Sequence, residues 1–154
     1  MPYYLKIDIE GADLLCLKSL ENFEEISKYV SIEAGLNSFE ETFSELSLLW
    51  NLGYRKFKIV NQAMNYIIKC SNPPLEVAYV DYNFDGTCSG PFGEEAPGTW
   101  MNIEDIFVNY RRLLKEQKYF GANGKMYPTV FHKVYEVLKR EPAGWYDFHA
   151  KLEQ

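Results

Sequence analysis

Apolar and polar residues alternate at the start of the chain, where YLKIDIE places Leu5, Ile7 and Ile9 on one side and charged residues on the other. A period of two predicts a half-buried β-strand. The glycine at position 11 permits a tight turn, and the leucines of ADLLCLKSLENF then recur at the spacing of one buried helical face. The chain is therefore predicted to begin with a strand that runs directly into a helix.

The same alternation of strand and helix continues over the next forty or so residues. YVSIEAG (29–35) is a short strand rich in β-branched residues, and YRKFKIVN (54–61) is a third strand. Between them, SFEETFSELSLLWNLG has Ser38 as a helix cap, Glu41 completing a capping box, and Gly53 just past the helix end. Strand, helix, strand, helix and strand with short loops predict an α/β fold with a parallel sheet.

The remainder of the chain changes character. Residues 61–100 are rich in Gly, Pro, Asn and Ser, and we expect a long excursion with one strand near EVAYVDY. Loops of this length in compact domains are usually functional. NIEDIFVNYRRLLKEQKYFG is predicted to be a helix capped by Asn102, and YPTVFHKVYEVLKR another, before a tail (141–154) with an aromatic patch. We expect a single domain over residues 1–154.

Charge and composition narrow the classes of function. The net charge is −6 and no run of Lys and Arg forms a basic stripe, so nucleic acids and anionic membrane surfaces are disfavoured as partners. No apolar run is long enough to span a bilayer, and the first residues lack a signal-peptide layout, so a cytoplasmic location is expected. The three cysteines are scattered and only two histidines occur, which predicts no disulfide framework and no structural metal site.

Acidic residues follow the first strand at the point where an open α/β sheet binds its ligands. Asp8 and Glu10 lie two residues apart, so on a strand both carboxylates point the same way. Ligands in such sheets sit beyond the carboxyl ends of the strands. The alternative is that Glu10 and Asp13 only place negative charge at the amino end of the following helix.

Two further residues are candidates, each with a structural alternative. Glu33 ends the second strand and would face the same edge of the sheet, or it would form a buried salt bridge with Lys6 or Lys58. His149, within WYDFHA, is either a packed side chain or a general base, because its unperturbed pKa lies near neutrality.

Two loops in the long excursion carry incomplete motifs. DYNFDG matches the first half of a calcium loop, but Phe92 stands at the twelfth position, where a bidentate carboxylate is needed. A tight turn between strands is the better interpretation. CSGPFGEE (88–95) lacks the glycine spacing and the lysine of a nucleotide loop, so it is either a shaped substrate loop or an ordinary surface turn.

Five segments together resemble one family. YLKIDIEGADLLCLKSL is similar to the core signature of FkbM-type methyltransferases, and YVSIEAG, LGYRKFKIVNQ, SGPFGEEAPGTW and WYDFHA resemble members of that family in the same order. The resemblance covers nearly the whole chain, with Asp13 standing where Glu is commoner. It implies a partial Rossmann-like class I methyltransferase sheet, from about the fourth strand onward, with C-terminal helices.

The resemblance also implies an activity and a set of site residues. The expected function is S-adenosylmethionine-dependent transfer of a methyl group to a hydroxyl of a small molecule or sugar. The expected catalytic residues are Asp8, Glu10 and Glu33, and the expected cofactor-binding residues are Asp8 and Gly11. Residues expected to contact the acceptor are Lys6, Ser89, Phe92, Glu94 and His149. The alternative is a non-catalytic truncated remnant or interaction module that lacks the cofactor-binding half.

The resemblance places the family's glycine-rich cofactor loop upstream of the first strand of this chain. A genuinely short protein, a truncated gene model and an excised fragment all remain open on the sequence. Without an upstream neighbour, the first strand is expected to form an unpaired sheet edge, and such edges invite pairing with another chain. We therefore expect the chain either to form homo-oligomers through this edge or to be only marginally stable.

Overall fold

The computed structural model describes residues 2–9, 11–35, 38–76, 78–121, 123–139 and 144–153. The strands and helices are β1 (Tyr4–Ile7), α1 (Asp13–Ser19), β2 (Tyr29–Glu33), α2 (Phe39–Asn51), β3 (Tyr54–Asn61), α3 (Ile103–Phe120), α4 (Val130–Lys139) and β4 (Tyr146–Leu152). Short 3-10 turns lie at Leu20–Asn22, Gln62–Ile67 and Gly93–Glu95. No helix among the described residues has both the length and the apolar character that a membrane crossing requires.

The four strands form one mixed, open sheet in the order β1-β2-β4-β3. β1 pairs parallel with β2, and β4 pairs antiparallel with both β2 and β3. The fold class is therefore α/β, as predicted, but the prediction of a parallel sheet is wrong, because the C-terminal segment, expected as a tail, is a central strand that runs antiparallel to both of its neighbours. Apolar and polar residues alternate through YDFHAKL, so the strand signal was present in the sequence, although burial of both Asp147 and His149 was not expected from it.

One face of the sheet is apolar and packs against α1, α2 and α3. Ile7, Ile32 and Phe148 lie on this face and are buried, and the ring of Phe148 contacts the ring of Tyr110 from α3. The predicted helix caps are confirmed. Ser38 accepts a hydrogen bond from the backbone N–H of Glu41 at 3.1 Å, and Asn102 caps α3 in the same way.

The opposite face of the sheet carries a row of polar side chains. Lys6, Ser31, His149 and Lys58 occupy directly paired positions across the four strands. The segment 71–100 packs on this face, where the buried Lys58 donates a hydrogen bond to the carbonyl of Ala96 at 2.6 Å. Burial of this polar row is possible because the covering segment supplies hydrogen-bond partners.

The prediction of a strand near EVAYVDY is wrong for the described residues 78–82, which have no regular secondary structure. Val77 lies outside the described part of the chain. Tyr79 and Val80 remain exposed, so the alternating apolar side chains have no neighbouring strand or core to bury them. The DYNFDG segment forms a local turn in which the Asp85 carboxylate accepts a hydrogen bond from Thr87 N at 2.8 Å. That turn does not connect two strands in the described residues.

Candidate functional site

A cleft of about 340 Å³ lies at the carboxyl ends of β1 and β2. Its lining residues are Gly11, Asp13, Glu33, Ala34, Gly35, Glu45 and Trp145. Parallel pairing of β1 with β2 brings the turns that follow the two strands to the same edge of the sheet. This is the edge at which open α/β sheets bind ligands.

Glycine and side-chain hydrogen bonds shape both turns. Gly11 has φ of +91°, in the left-handed region, and a Cβ there would meet no atom within 4 Å, so the backbone faces open space. Asp13, at the start of α1, accepts a hydrogen bond from the backbone N–H of Ile9 at 3.1 Å. After β2, the carbonyl of Gly35 accepts hydrogen bonds from the hydroxyls of Thr42 and Tyr110. These bonds fix the two walls of the cleft.

Glu45 of α2 is an acid of the cleft whose pKa is strongly raised. Burial raises its pKa to about 7, and the neighbouring carboxylates of Asp13, Glu41 and Glu33 act in the same direction. Its Oε2 atom is buried without a hydrogen-bond partner in the described structure. A carboxylate with a pKa near the working pH is suited to general acid–base chemistry. The cleft can therefore accept a proton at Glu45.

Sequence analysis missed Glu45, although a weak signal was present. Glu41 and Glu45 lie four residues apart on one helix, and like charges at that spacing destabilise a helix. Such a pair therefore indicates that one of the two acids has a role outside the helix. Placing that helix face next to the ends of β1 and β2 required knowledge of how α2 packs, which the local pattern does not contain.

An ion pair joins β1 to β4 beside the cleft. Lys6 Nζ lies 2.7 Å from Asp147 Oδ2 and 3.4 Å from Asp8 Oδ2. The side chain of Asp147 is 2% exposed and that of Asp8 is 48% exposed. Burial raises the pKa of Asp147, and Lys6 opposes this rise. Burial alone would lower the pKa of Lys6, but the hydrogen bond and charge of Asp147 outweigh it and raise that pKa.

Glu33 ends β2 with its side chain exposed, so the buried position that the salt-bridge alternative requires is wrong. Exposure is expected because Glu33 lies where the strand leaves the sheet and opens into the cleft. Asp8 and Gly11 lie at the same edge, whereas Glu10 lies outside the described residues.

Glu94 holds the segment 71–100 against the polar face of the sheet. It accepts hydrogen bonds from Lys151 Nζ at 2.7 Å, Trp100 Nε1 at 2.7 Å and the Tyr29 hydroxyl at 3.0 Å. Burial would raise the pKa of Glu94, but these three donors outweigh it and lower the pKa. All these contacts are internal, so Glu94 has a structural role in this conformation.

Aromatic stacking covers His149. The ring of Phe92 stacks on Tyr4 at 4.3 Å with an interplanar angle of 4°, and Tyr4 lies 6.5 Å from the His149 ring. His149 is 2% exposed. Burial, followed by the charges of Lys6 and Lys58, lowers its pKa to about 3, so the imidazole is neutral at physiological pH. A buried imidazole of this kind matches the packed side chain of the two sequence-based interpretations.

The residues expected at one site thus fall into two groups. Tyr4 and Tyr29 begin β1 and β2, so their partners Phe92 and Glu94 lie toward the amino ends of these strands. The cleft follows the carboxyl ends of the same strands. Ser89 is exposed within the segment 71–100. The described structure therefore does not bring this segment to the cleft.

Comparisons with known proteins leave the family unassigned. No protein-family model matches the chain, and searches of the curated proteins and of the solved structures found no match either. In the parts of the chain that the structure describes, no three or more His, Cys, Asp and Glu residues are grouped so that they could hold a metal ion.

Proposed function

We propose that the chain is part of an S-adenosylmethionine-dependent methyltransferase, of the FkbM type that its sequence resembles, acting on a hydroxyl of a small molecule or sugar. One observation carries the proposal. Glu33, Gly11 and Gly35 line one cleft at the carboxyl ends of two adjacent parallel strands, and Asp8 directly follows the first of these strands. Ligands of Rossmann-like sheets bind in this position. We therefore propose that this α/β sheet is of the Rossmann-like class.

The chemistry of the cleft fits the charge of the proposed cofactor. S-adenosylmethionine carries a sulfonium and an ammonium group, and the cleft is lined by Asp13, Glu33 and Glu45 together with the half-exposed ring of Trp145. Carboxylates and an indole face both attract cations. The open backbone at Gly11 leaves room for close approach of the cofactor, which would supply the methyl group.

The protein's own residues would position the acceptor and remove its proton. A carboxylate fixed beside the sulfonium stabilises the ground state more than the transition state, because the positive charge disappears as the methyl group leaves. The acids are therefore more useful as proton acceptors and for orientation. Glu45, with a pKa of about 7, would take the hydroxyl proton on its carboxylate, and Asp8, held by Lys6, would orient the acceptor.

Calorimetric titration with S-adenosylmethionine and S-adenosylhomocysteine tests the proposal. We expect binding by the 154-residue chain and weaker binding by the Glu33→Gln variant. Glu40→Gln is the matched control, because Glu40 is an exposed acid in the first turn of α2 and does not line the cleft. Absence of binding, or an equal effect of both substitutions, contradicts the assignment of the cleft. Where binding is found, Asp8→Asn should reduce turnover far more than stability.

A non-catalytic interaction module is the second candidate, and exposed apolar residues favour it. Residues on one side of α4 are half or more exposed: Val130, Phe131, Val134, Val137 and Leu138. The outer edge of β1 has no strand partner among the described residues. Contiguous apolar surface of this kind marks interaction sites. Concentration-dependent association in sedimentation velocity, without cofactor binding, would favour this function over methyl transfer.

A further inference from the structure

A second cavity, of about 370 Å³, lies within the segment 70–95. Its apolar lining consists of Cys70, Ala78, Val80, Phe84, Pro91 and Phe92. Val80 is 59% exposed, so the cavity reaches solvent. The volume lies near the lower end of the range of about 300–1,000 Å³ that small-molecule sites occupy. The cavity is thus large enough for a small organic molecule.

Glu95 shapes one wall of the cavity by binding the backbone. Its carboxylate accepts hydrogen bonds from the N–H groups of Ser71 at 2.9 Å and Leu75 at 2.5 Å. Burial would raise the pKa of Glu95, but these backbone donors outweigh it and lower the pKa. A loop without regular secondary structure is held in one shape by such bonds.

Glu76 fixes another part of the lining. It accepts hydrogen bonds from the Tyr29 hydroxyl at 2.7 Å and from the Glu94 backbone N–H at 3.1 Å. A Cβ at Gly93 would collide with the Glu76 side chain, and Gly93 also has φ of +62°. The wall that carries Phe92 is therefore closely packed and formed without a ligand, as ligand cavities usually are.

The lining selects the chemistry of an occupant. Glu76 and Glu95 are the charged lining residues, and both already accept hydrogen bonds from the protein. Two carboxylates with no cation among the lining residues repel anions. Phe84 and Phe92 present aromatic surface, on which another ring stacks favourably. Glu76 is already paired with Lys28, whose Nζ lies 3.7 Å from Glu76 Oε1, and Glu95 is held by two backbone N–H groups, so neither carboxylate is left to bind a cationic ligand. An uncharged ring system therefore fits this lining.

We infer that this cavity binds a small uncharged aromatic molecule. The cavity lies by the amino ends of β1 and β2, since Glu76 contacts Tyr29 at the start of β2, whereas the cleft follows their carboxyl ends. The inference goes beyond the proposed methyl transfer and does not rest on it. An experiment can therefore disprove the aromatic ligand of the cavity without disproving methyl transfer in the cleft, and the reverse also holds.

Alkylation of Cys70 tests the inference. In a Cys16→Ala/Cys88→Ser variant, Cys70 is the remaining thiol, and mass spectrometry follows its reaction with N-ethylmaleimide. We expect saturating 2-naphthol to slow the reaction on the order of tenfold, because thiol reactivity requires access to the sulfur. Naphthalene-2-sulfonate, which has the same rings and a negative charge, should leave the rate unchanged. S-adenosylmethionine is absent throughout, so failure of the proposed methyl transfer does not affect the readout.

A variant in which a larger side chain fills the cavity provides the control for specificity. Ala78 lines the cavity and is exposed, so Ala78→Trp in the same variant should abolish protection by 2-naphthol without disturbing the core. Tyr119→Trp, at an exposed residue of α3 outside the lining, should retain protection. Circular dichroism checks that each variant is folded. No protection up to the solubility of 2-naphthol, equal protection by the sulfonate, or protection that persists in Ala78→Trp overturns the inference.

Discussion

Replacing Lys6 with methionine should destabilise the protein more than replacing its partner Asp147 with asparagine. Lys6 Nζ lies 2.7 Å from Asp147 Oδ2, and the Asp147 side chain is 2% exposed whereas that of Lys6 is 22% exposed. Loss of the cation leaves a negative charge buried in the centre of the sheet. Loss of the carboxylate charge leaves a lysine that reaches solvent and still lies 3.4 Å from Asp8.

The loss in the free energy of unfolding for each variant follows from the different burial of Lys6 and Asp147. Removing one partner of a buried ion pair costs about 3–5 kcal/mol, a large part of the free energy of unfolding of a small domain. Asp147→Asn keeps a hydrogen-bond acceptor, so its cost should be about 1–2 kcal/mol. The double substitution Lys6→Met/Asp147→Leu removes both charges and should recover most of the loss. Lys56→Met is the matched control, since Lys56 pairs with exposed Glu153 and should cost less than about 1 kcal/mol.

Urea unfolding between pH 4 and pH 8 is the assay. The pKa of Asp147 is raised in the folded protein, and without Lys6 it should rise further. A group with a raised folded-state pKa contributes stability below its unfolded-state pKa, and this contribution is lost as pH rises through the folded-state pKa. The deficit of Lys6→Met should therefore be largest near pH 8 and should shrink toward pH 4.

Two results would refute this reasoning. Equal costs for Lys6→Met and Asp147→Asn would show that burial does not determine the penalty. A deficit of Lys6→Met that is constant from pH 4 to pH 8 would show that the Asp147 charge is not its cause.

Three further predictions concern the cleft, the cavity and the free sheet edge. Glu45→Gln should stabilise the protein at pH 8 by about 1–2 kcal/mol, a figure discounted for the partial exposure of the side chain, because the raised pKa of about 7 shows that the charged form is unfavourable in the fold. In urea titrations this gain should vanish as the pH falls toward 4, where Glu45 is protonated in the folded protein. Gly93→Ala should lower the urea midpoint more than Gly11→Ala, since both have positive φ but only Gly93 would also clash with a side chain; equal losses would contradict this. Ile9→Lys should weaken self-association through the edge of β1 in sedimentation velocity. A monomeric wild-type chain across the micromolar range would rule out that edge pairing.

Local signals predicted much of the secondary structure. The alternation in YLKIDIE, the capping box from Ser38 to Glu41 and the cap at Asn102 each act within a few residues, and the structure places strands and helices accordingly. The position of Asp8 and Glu33 at strand ends also followed from the pattern, because the carboxyl ends of parallel strands share one edge.

Residues distant along the chain decided the rest. β4 entered the middle of the sheet because it pairs with β2 and β3, which lie more than 80 residues earlier. That pairing buried Asp147 and His149 and gave Lys6 its partner. The segment YDFHAKL alternates apolar and polar residues as a half-buried strand does, but the local pattern does not show that its polar side, with Asp147 and His149, is covered by another segment.

The sequence by itself determined most of the strands and helices and which acids end the first two strands, because these depend on neighbours along the chain. The exceptions are β4, which was expected as a tail, and residues 78–82, which were expected as a strand. Tertiary structure alone decided that Glu45 joins the cleft, that Phe92 and Glu94 pack at the opposite end of the strands, and that an apolar cavity forms within residues 70–95. The physical reason is that burial and raised or lowered pKa values arise from groups that only folding brings together.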